Sequence, residues 1–156
     1  MPERILVPLD GSKTGESALA YLEDTLTKLK PGETPEIILL RVVKTAVHHI
    51  PVEGGTVDVS DRPKDMQPAI NAAKAYLVKA GERLSGMGMK VSYEVVLGQE
   101  GISSAENIIQ AEKDLNIDTV AMSTHGRRGV TRWAFGSVAE KVLRSGSVPV
   151  MLVRAK

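Results

Sequence analysis

Short, uniformly apolar runs recur along this chain, and stretches with helical periodicity separate them. That alternation limits the folds open to it more than any other feature. Ile5-Leu6-Val7-Pro8 reads as a first strand, too uniformly apolar to have a wet face. Ile37 to Leu40 with Val42 and Val43 reads as a second, buried on both faces. Val91, Tyr93 and Val95 alternate with Ser92 and Glu94, which places a third strand at a sheet edge with one side solvated. Thr119 to Met122 and Pro149 to Val153 are the fourth and fifth. Between them, Ala18, Leu19, Leu22, Leu26 and Leu29 recur at helical spacing after Ser12 or Thr14, and Lys30-Pro31-Gly32 stops them. Ile70, Ala73, Leu77, Ala80 and Leu84 line one face of a second helix that begins near Gln67 and ends at Gly86 and Gly88. Ser103 and Glu106 form a capping box for a third helix, continued by Ile108, Ile109 and Leu115. A fourth runs from Ser137 to about Arg144. Strands alternating with helices in this way predict an α/β fold: a doubly wound parallel sheet of five strands with helices on both faces. Residues 44–64 show no clear period and carry Pro51, Gly54, Gly55 and Pro63. They are expected to form a long loop, the least ordered part of the chain.

At 156 residues the chain fits one domain, residues 1–156, with a proper core. A formal net charge of +1 gives no reason to expect a nucleic-acid or membrane partner. The absence of cysteine excludes disulfides, thiolate nucleophiles and cysteine-ligated metals. No apolar run approaches membrane-spanning length, and the early charges and short first strand do not suit a signal peptide, so a cytoplasmic location is expected. One Phe and one Trp are too few for a base-stacking platform.

Chemistry concentrates in two places. Ser123-Thr124-His125-Gly126 follows the fourth apolar run, and Gly136-Ser137 comes nine residues after Gly126, where a helical pattern begins. A strand, a glycine-punctuated loop and a helix start make a cradle for phosphate. Glycines let backbone N–H groups approach an anion, and the helix N-terminus adds unpaired donors and partial positive charge. Ser137 with Glu140 reads as a capping box. The plainer reading of the same glycines is an ordinary strand-to-helix loop. The second place is Asp10-Gly11-Ser12, at the end of the first strand. Asp10 could accept hydrogen bonds from a ribose, or it could cap the first helix together with Ser12.

These two motifs, with the closing Ser147-Val148-Pro149-Val150-Met151-Leu152-Val153, resemble the universal stress protein family over essentially the whole chain. In nucleotide-binding members the late motif reads glycine, two residues, glycine, nine residues, glycine, then serine or threonine. Gly126, Gly136 and Ser137 match, and Ser123 stands where the first glycine would be. A Ser123→Gly change restores that pattern and is expected to bind at least as tightly. The resemblance implies strand order 3-2-1-4-5, so the switch point falls between strands one and four, where open α/β sheets bind ligands. It implies an adenine nucleotide, ATP foremost and with Mg²⁺ accompanying it, met by Pro8, Leu9, Asp10, Val42, Met122, Ser123, His125, Gly126, Arg127, Gly136, Ser137 and Val138. It also implies a homodimer through the edge strand Pro149 to Val153, and a regulatory or sensor role in stress.

Other groups have quieter readings. Arg127, Arg128 and Arg132 could screen phosphate charge, but they also suit a solvated basic face. His125 has no carboxylate near it in sequence to orient it, and His48 and His49 lack metal-ligand spacing. Trp133 reads as a packing anchor. There is no Gly-x-x-x-x-Gly-Lys-Ser/Thr loop, no Gly-x-Ser-x-Gly elbow and no His-Glu-x-x-His. A phosphate cradle without a base or activating lysine suits binding better than turnover. The rivals are a dimeric adaptor of the same family that binds no nucleotide, and a slow ATP hydrolase.

Overall fold

The computed structural model describes residues 2–30, 32–124 and 136–155. The strands are β1 (Arg4–Pro8), β2 (Glu36–Lys44), β3 (Val47–Val52), β4 (Gly55–Ser60), β5 (Lys90–Gly98), β6 (Thr119–Thr124) and β7 (Val150–Arg154). The helices are α1 (Ser17–Leu26), α2 (Gln67–Ala80), α3 (Glu82–Gly86), α4 (Ser104–Asp114) and α5 (Ser137–Ser145), with a 3₁₀ turn over Pro63–Met66. Five strands form one sheet in the order β5-β2-β1-β6-β7. All four pairings are parallel. Counting only these five, the order is the 3-2-1-4-5 expected.

Strand alternation builds the core. Ile5 and Val7 of β1 face one way with Ile37 and Leu39 of β2, against Leu19, Leu22 and Leu26 of α1, Leu77 of α2 and Leu84 of α3. Leu6, Ile38, Leu40, Val120 and Met122 face the other way, against Ala105, Ile108 and Ala111 of α4 and Ala139 and Val142 of α5. Period-two strands thus feed two separate cores, which is why β1 and the first half of β2 read as unbroken apolar runs. β5 pairs only with β2 and lies at the edge, as its alternation predicted.

Three expectations need correction. Residues 44–64 are not an irregular loop: β3 and β4 form an antiparallel hairpin with Val47 opposite Ser60 and Val52 opposite Gly55. Its turn is Glu53-Gly54, with Gly54 at φ +95°, the conformation that the third position of a type II turn reserves for glycine. Pro51 sits inside β3, which a strand paired on one side only can accommodate. The helix expected from Gln67 to Gly86 is two helices that meet at Gly81, where a side chain would press to 3.0 Å from Leu39 Cδ1 and Tyr93 Cε1. Glycine there lets the helical layer lie close on the sheet. The first helix begins at Ser17, later than Ser12 or Thr14, because those residues are taken up by a turn described below.

Among the described residues, no helix is long and apolar enough to cross a membrane.

Candidate functional site

β1 and β6 lie side by side at the point where the chain changes direction across the sheet. Their C-terminal ends, with that of β2, open into one cavity. Pro8, Leu9 and Asp10 line it from the end of β1. Leu40 and Val42 contribute from β2, Met122 and Ser123 from β6, and Gly136, Val138 and Ala139 from the start of α5. Ser104 and Ile108 close it from α4, and Ser12, Thr14 and Gly15 from the turn after β1. Of the residues singled out in the sequence, Pro8, Leu9, Asp10, Val42, Met122, Ser123, Gly136 and Val138 are therefore brought together. Ser137 follows Gly136 without lining the cavity. His125, Gly126, Arg127, Arg128, Arg132 and Trp133 lie outside the described residues.

The turn after β1 is organised by Asp10. The strand pairing runs one residue past β1, with Leu9 N–H donating to Leu40 C=O at 2.8 Å. Gly11 then takes φ +89° and turns the chain. Ser12 donates to Asp10 Oδ1 twice, from its backbone N–H at 2.9 Å and its hydroxyl at 2.6 Å. The Gly15 N–H donates in turn to Ser12 Oγ at 3.0 Å. Asp10 and Ser12 thus cap a tight turn rather than α1 itself. The Arg41 guanidinium of β2 packs into the space that a side chain on Gly11 would need, and lies 4.9 Å from the centre of the Tyr76 ring. Burial, with Glu16 and Asp10 close by and only partly offset by Arg41, pushes the Tyr76 hydroxyl up to about 12.

α1 begins without a cap of its own: Glu16 precedes it and makes no side-chain capping bond. The Ala18 N–H instead donates to Ser123 Oγ at 2.9 Å, and Ser123 Oγ donates to Gly15 C=O at 2.9 Å. Ser123 of β6 is thus tied to the neighbouring helix start.

α5 also differs from expectation. Gly136, not a serine, occupies its N-cap position, with φ +78° and ψ 146° and no side-chain capping bond. Ser137 is the first helical residue and does not form a capping box. The reason lies in Gly136: its positive φ belongs to glycine and starts the helix one residue earlier than the serine pattern suggested. The first-turn N–H groups, which the helix itself cannot pair, start at the cavity wall formed by Gly136, Val138 and Ala139. The capping box at α4 is present: Ser103 N–H donates to Glu106 Oε2 at 2.7 Å and Glu106 N–H to Ser103 Oγ at 3.2 Å. Those bonds, with Lys141 of α5 close by, hold the Glu106 carboxyl below the usual carboxylate range.

The arrangement offers an apolar slot at Val42, Met122 and Ile108, a carboxylate at Asp10, and a glycine-started helix N-terminus. These elements suit, in turn, a flat apolar ring, hydroxyl donors and an anion. Thr14, Gly15, Leu40, Ser104, Ile108 and Ala139 were not foreseen in the cavity lining, and Ser12 was read only as a cap. The Ser103 capping box did mark the start of α4, but only the packing of α4 on the sheet brings Ser104 and Ile108 to the crevice. Among the described residues, no three or more histidines, aspartates or glutamates are grouped to hold a metal.

The model of the universal stress protein family matches residues 1–154. Universal stress protein MJ0577 of Methanocaldococcus jannaschii is 26% identical over 165 residues, covering 100% of this chain and 97% of that one. The solved structure of MJ0577 superposes with a TM-score of 0.68 at 24% identity, covering 100% of this chain and 98% of the other. A universal stress protein family protein from Arabidopsis thaliana, solved with AMP bound, gives 0.62 at 17% identity, covering 99% and 93%. The universal stress protein from Archaeoglobus fulgidus, solved in complex with dAMP, gives 0.59 at 16% identity, covering 97% and 96%.

Proposed function

The chain belongs to the universal stress protein family, and from that premise we propose that it binds an adenine nucleotide in the crevice at the ends of β1, β2 and β6. One observation carries the reading. Residues more than a hundred positions apart in sequence, Pro8, Leu9 and Asp10 on one side and Met122, Ser123 and Gly136 on the other, line a single cavity at the topological switch point. Open α/β sheets bind their ligands at that point. In this reading the adenine ring lies against Val42 and Met122, and Asp10 accepts from the ribose. Gly136 and the first turn of α5 face the phosphates. Family structures solved with AMP and dAMP support the ligand class. ATP is the ligand we favour, with Mg²⁺ carried on its phosphates. His125, Gly126, Arg127 and Ser137 belong to the same proposed contact set through the motif alone.

The role we assign is regulatory: nucleotide occupancy read out by a partner, rather than turnover. We also place a homodimer at β7, which pairs with β6 on one side only and presents Val150 to Val153 half-buried at the sheet edge. An apolar edge strand is an aggregation hazard, and a two-fold copy covers it.

The test is direct. Purified protein is denatured, its extract chromatographed for retained nucleotide, and the stripped protein titrated with AMP, ADP and ATP by calorimetry. Saturable adenine-nucleotide binding is expected, with no phosphate release beyond the uncatalysed rate. Absence of binding to all three would favour the adaptor, and steady phosphate release abolished by Asp10→Ala would favour the hydrolase.

A further inference from the structure

Asp10 is linked to the neighbouring strand by a continuous run of hydrogen bonds. Ser123 Oγ donates to Gly15 C=O, Gly15 N–H donates to Ser12 Oγ, and Ser12 Oγ donates to Asp10 Oδ1, at 2.9, 3.0 and 2.6 Å. Ser123 lies on β6, across the switch point from β1. The same hydroxyl accepts from Ala18 N–H at 2.9 Å, at the start of a helix that has no side-chain cap of its own. Its one proton goes to Gly15 C=O and one of its lone pairs to Ala18 N–H, so the hydroxyl has no donor left to offer a ligand.

The wall that Ser123 ties is the wall of the cavity. Asp10, Ser12, Thr14 and Gly15 all line it. At the near end the turn is fixed by Leu9 N–H on Leu40 C=O. At the far end the Ser123 hydroxyl makes the side-chain bonds that join Gly15 and Ala18 to the sheet. A glycine at position 123 could make neither.

We infer that Ser123 is a positioning residue for the nucleotide site: through Gly15 and Ser12 it fixes the Asp10 carboxylate, and so sets the discrimination between ribose and deoxyribose. The inference rests on the nucleotide reading above. It reverses the expectation that a glycine at 123 binds at least as tightly. Its hydroxyl ties the turn that carries Asp10 to β6.

The experiment titrates wild type, S123A, S123G and S123T with AMP and with dAMP by calorimetry. Wild type is expected to favour AMP. S123A and S123G are expected to lose about tenfold in AMP affinity while dAMP changes much less, so that the AMP-to-dAMP ratio collapses. S123T, which keeps the hydroxyl, is expected to restore the ratio. A merely structural serine would weaken both nucleotides together and leave the ratio unchanged, and that result overturns the inference. So does an S123G protein that binds AMP more tightly than wild type, or a wild type indifferent to the 2′-hydroxyl. If wild type binds neither nucleotide, the functional reading fails, and the clamp is judged on the free protein by amide hydrogen exchange. S123A should then speed exchange at Ala18 at least tenfold without altering the most protected strand amides. Unaltered exchange at Ala18 overturns the clamp.

Discussion

A single methyl group at Gly15 should disturb the Asp10 turn. The Cβ of alanine would lie 2.9 Å from Asp10 Oδ1 and 3.4 Å from Ser12 Oγ, and the first separation is too short to persist. Oδ1 is the oxygen that holds both Ser12 bonds, so it cannot move aside without stretching them. Hydrogen bonds to a charged acceptor contribute about 1.5–3 kcal/mol each. Asp10 is exposed, and water can replace part of what is lost. Alanine also restricts the unfolded chain, which offsets about 0.4–1 kcal/mol. The balance is a net destabilisation of about 1–2 kcal/mol, taking one of the two bonds as lost. For a domain of this size that lowers Tm by roughly 2–8 °C. The same displacement should weaken AMP about tenfold, equivalent to about 1.4 kcal/mol. Thermal unfolding followed by circular dichroism and calorimetric titration read the two effects. A Gly15→Ala protein with unchanged or higher Tm and undiminished AMP affinity would show that the carboxylate is not held as described.

Gly136→Val places a β-branched side chain at φ +78° on the cavity wall, and calorimetry should show at least a tenfold loss of nucleotide affinity with the oligomeric state unchanged. Met151→Lys or Leu152→Asp on β7 should shift the protein from dimer towards monomer in sedimentation velocity; a dimer indifferent to both would remove β7 as the interface. Glu106 is held ionised by its bonds at Ser103, so its contribution is present above the unfolded carboxylate value of about 4.3 and is lost as pH falls through the lower folded value. Chemical denaturation at pH 5.5 and pH 3.5 should therefore show a larger acid loss in wild type than in Glu106→Gln; equal losses would refute it. Trypsin should spare the hairpin, since residues 45–61 contain no Lys or Arg, whereas a Glu-specific protease should cut early at Glu53 in its exposed turn.

The sheet was readable from the sequence because strands buried on both faces leave unbroken apolar runs, and each of β1 and β6 has a residue with chemistry on it close to its C-terminal end, Asp10 two residues past β1 and Ser123 next to last in β6. The hairpin was not, because Pro51, Gly54 and Gly55 act as breakers in a linear reading. The signal was nonetheless there: Val57 and Val59 alternate with Thr56, Asp58 and Ser60 directly after the Glu53-Gly54 turn. The exposed face of Ile50, Val52, Val57 and Val59 packs on neither core, so no burial pattern marked it. At the site, single positions were legible where a strand ends in a polar residue. The Ser123 bonds were not, since they join residues 105 and 108 apart and depend on β6 lying beside β1. Ser137 was misassigned because a serine followed by Glu140 mimics a capping box, while the conformation of Gly136 decides where α5 starts.

Every role proposed for this molecule depends on an adenine nucleotide occupying the crevice between β1 and β6. A crystal of the protein soaked with AMP tests it in one measurement. The base is expected against Val42 and Met122, the ribose within hydrogen-bond distance of Asp10, and the phosphate at Gly136 and the first turn of α5. An empty crevice at millimolar AMP, or nucleotide bound anywhere else on the molecule, would contradict it.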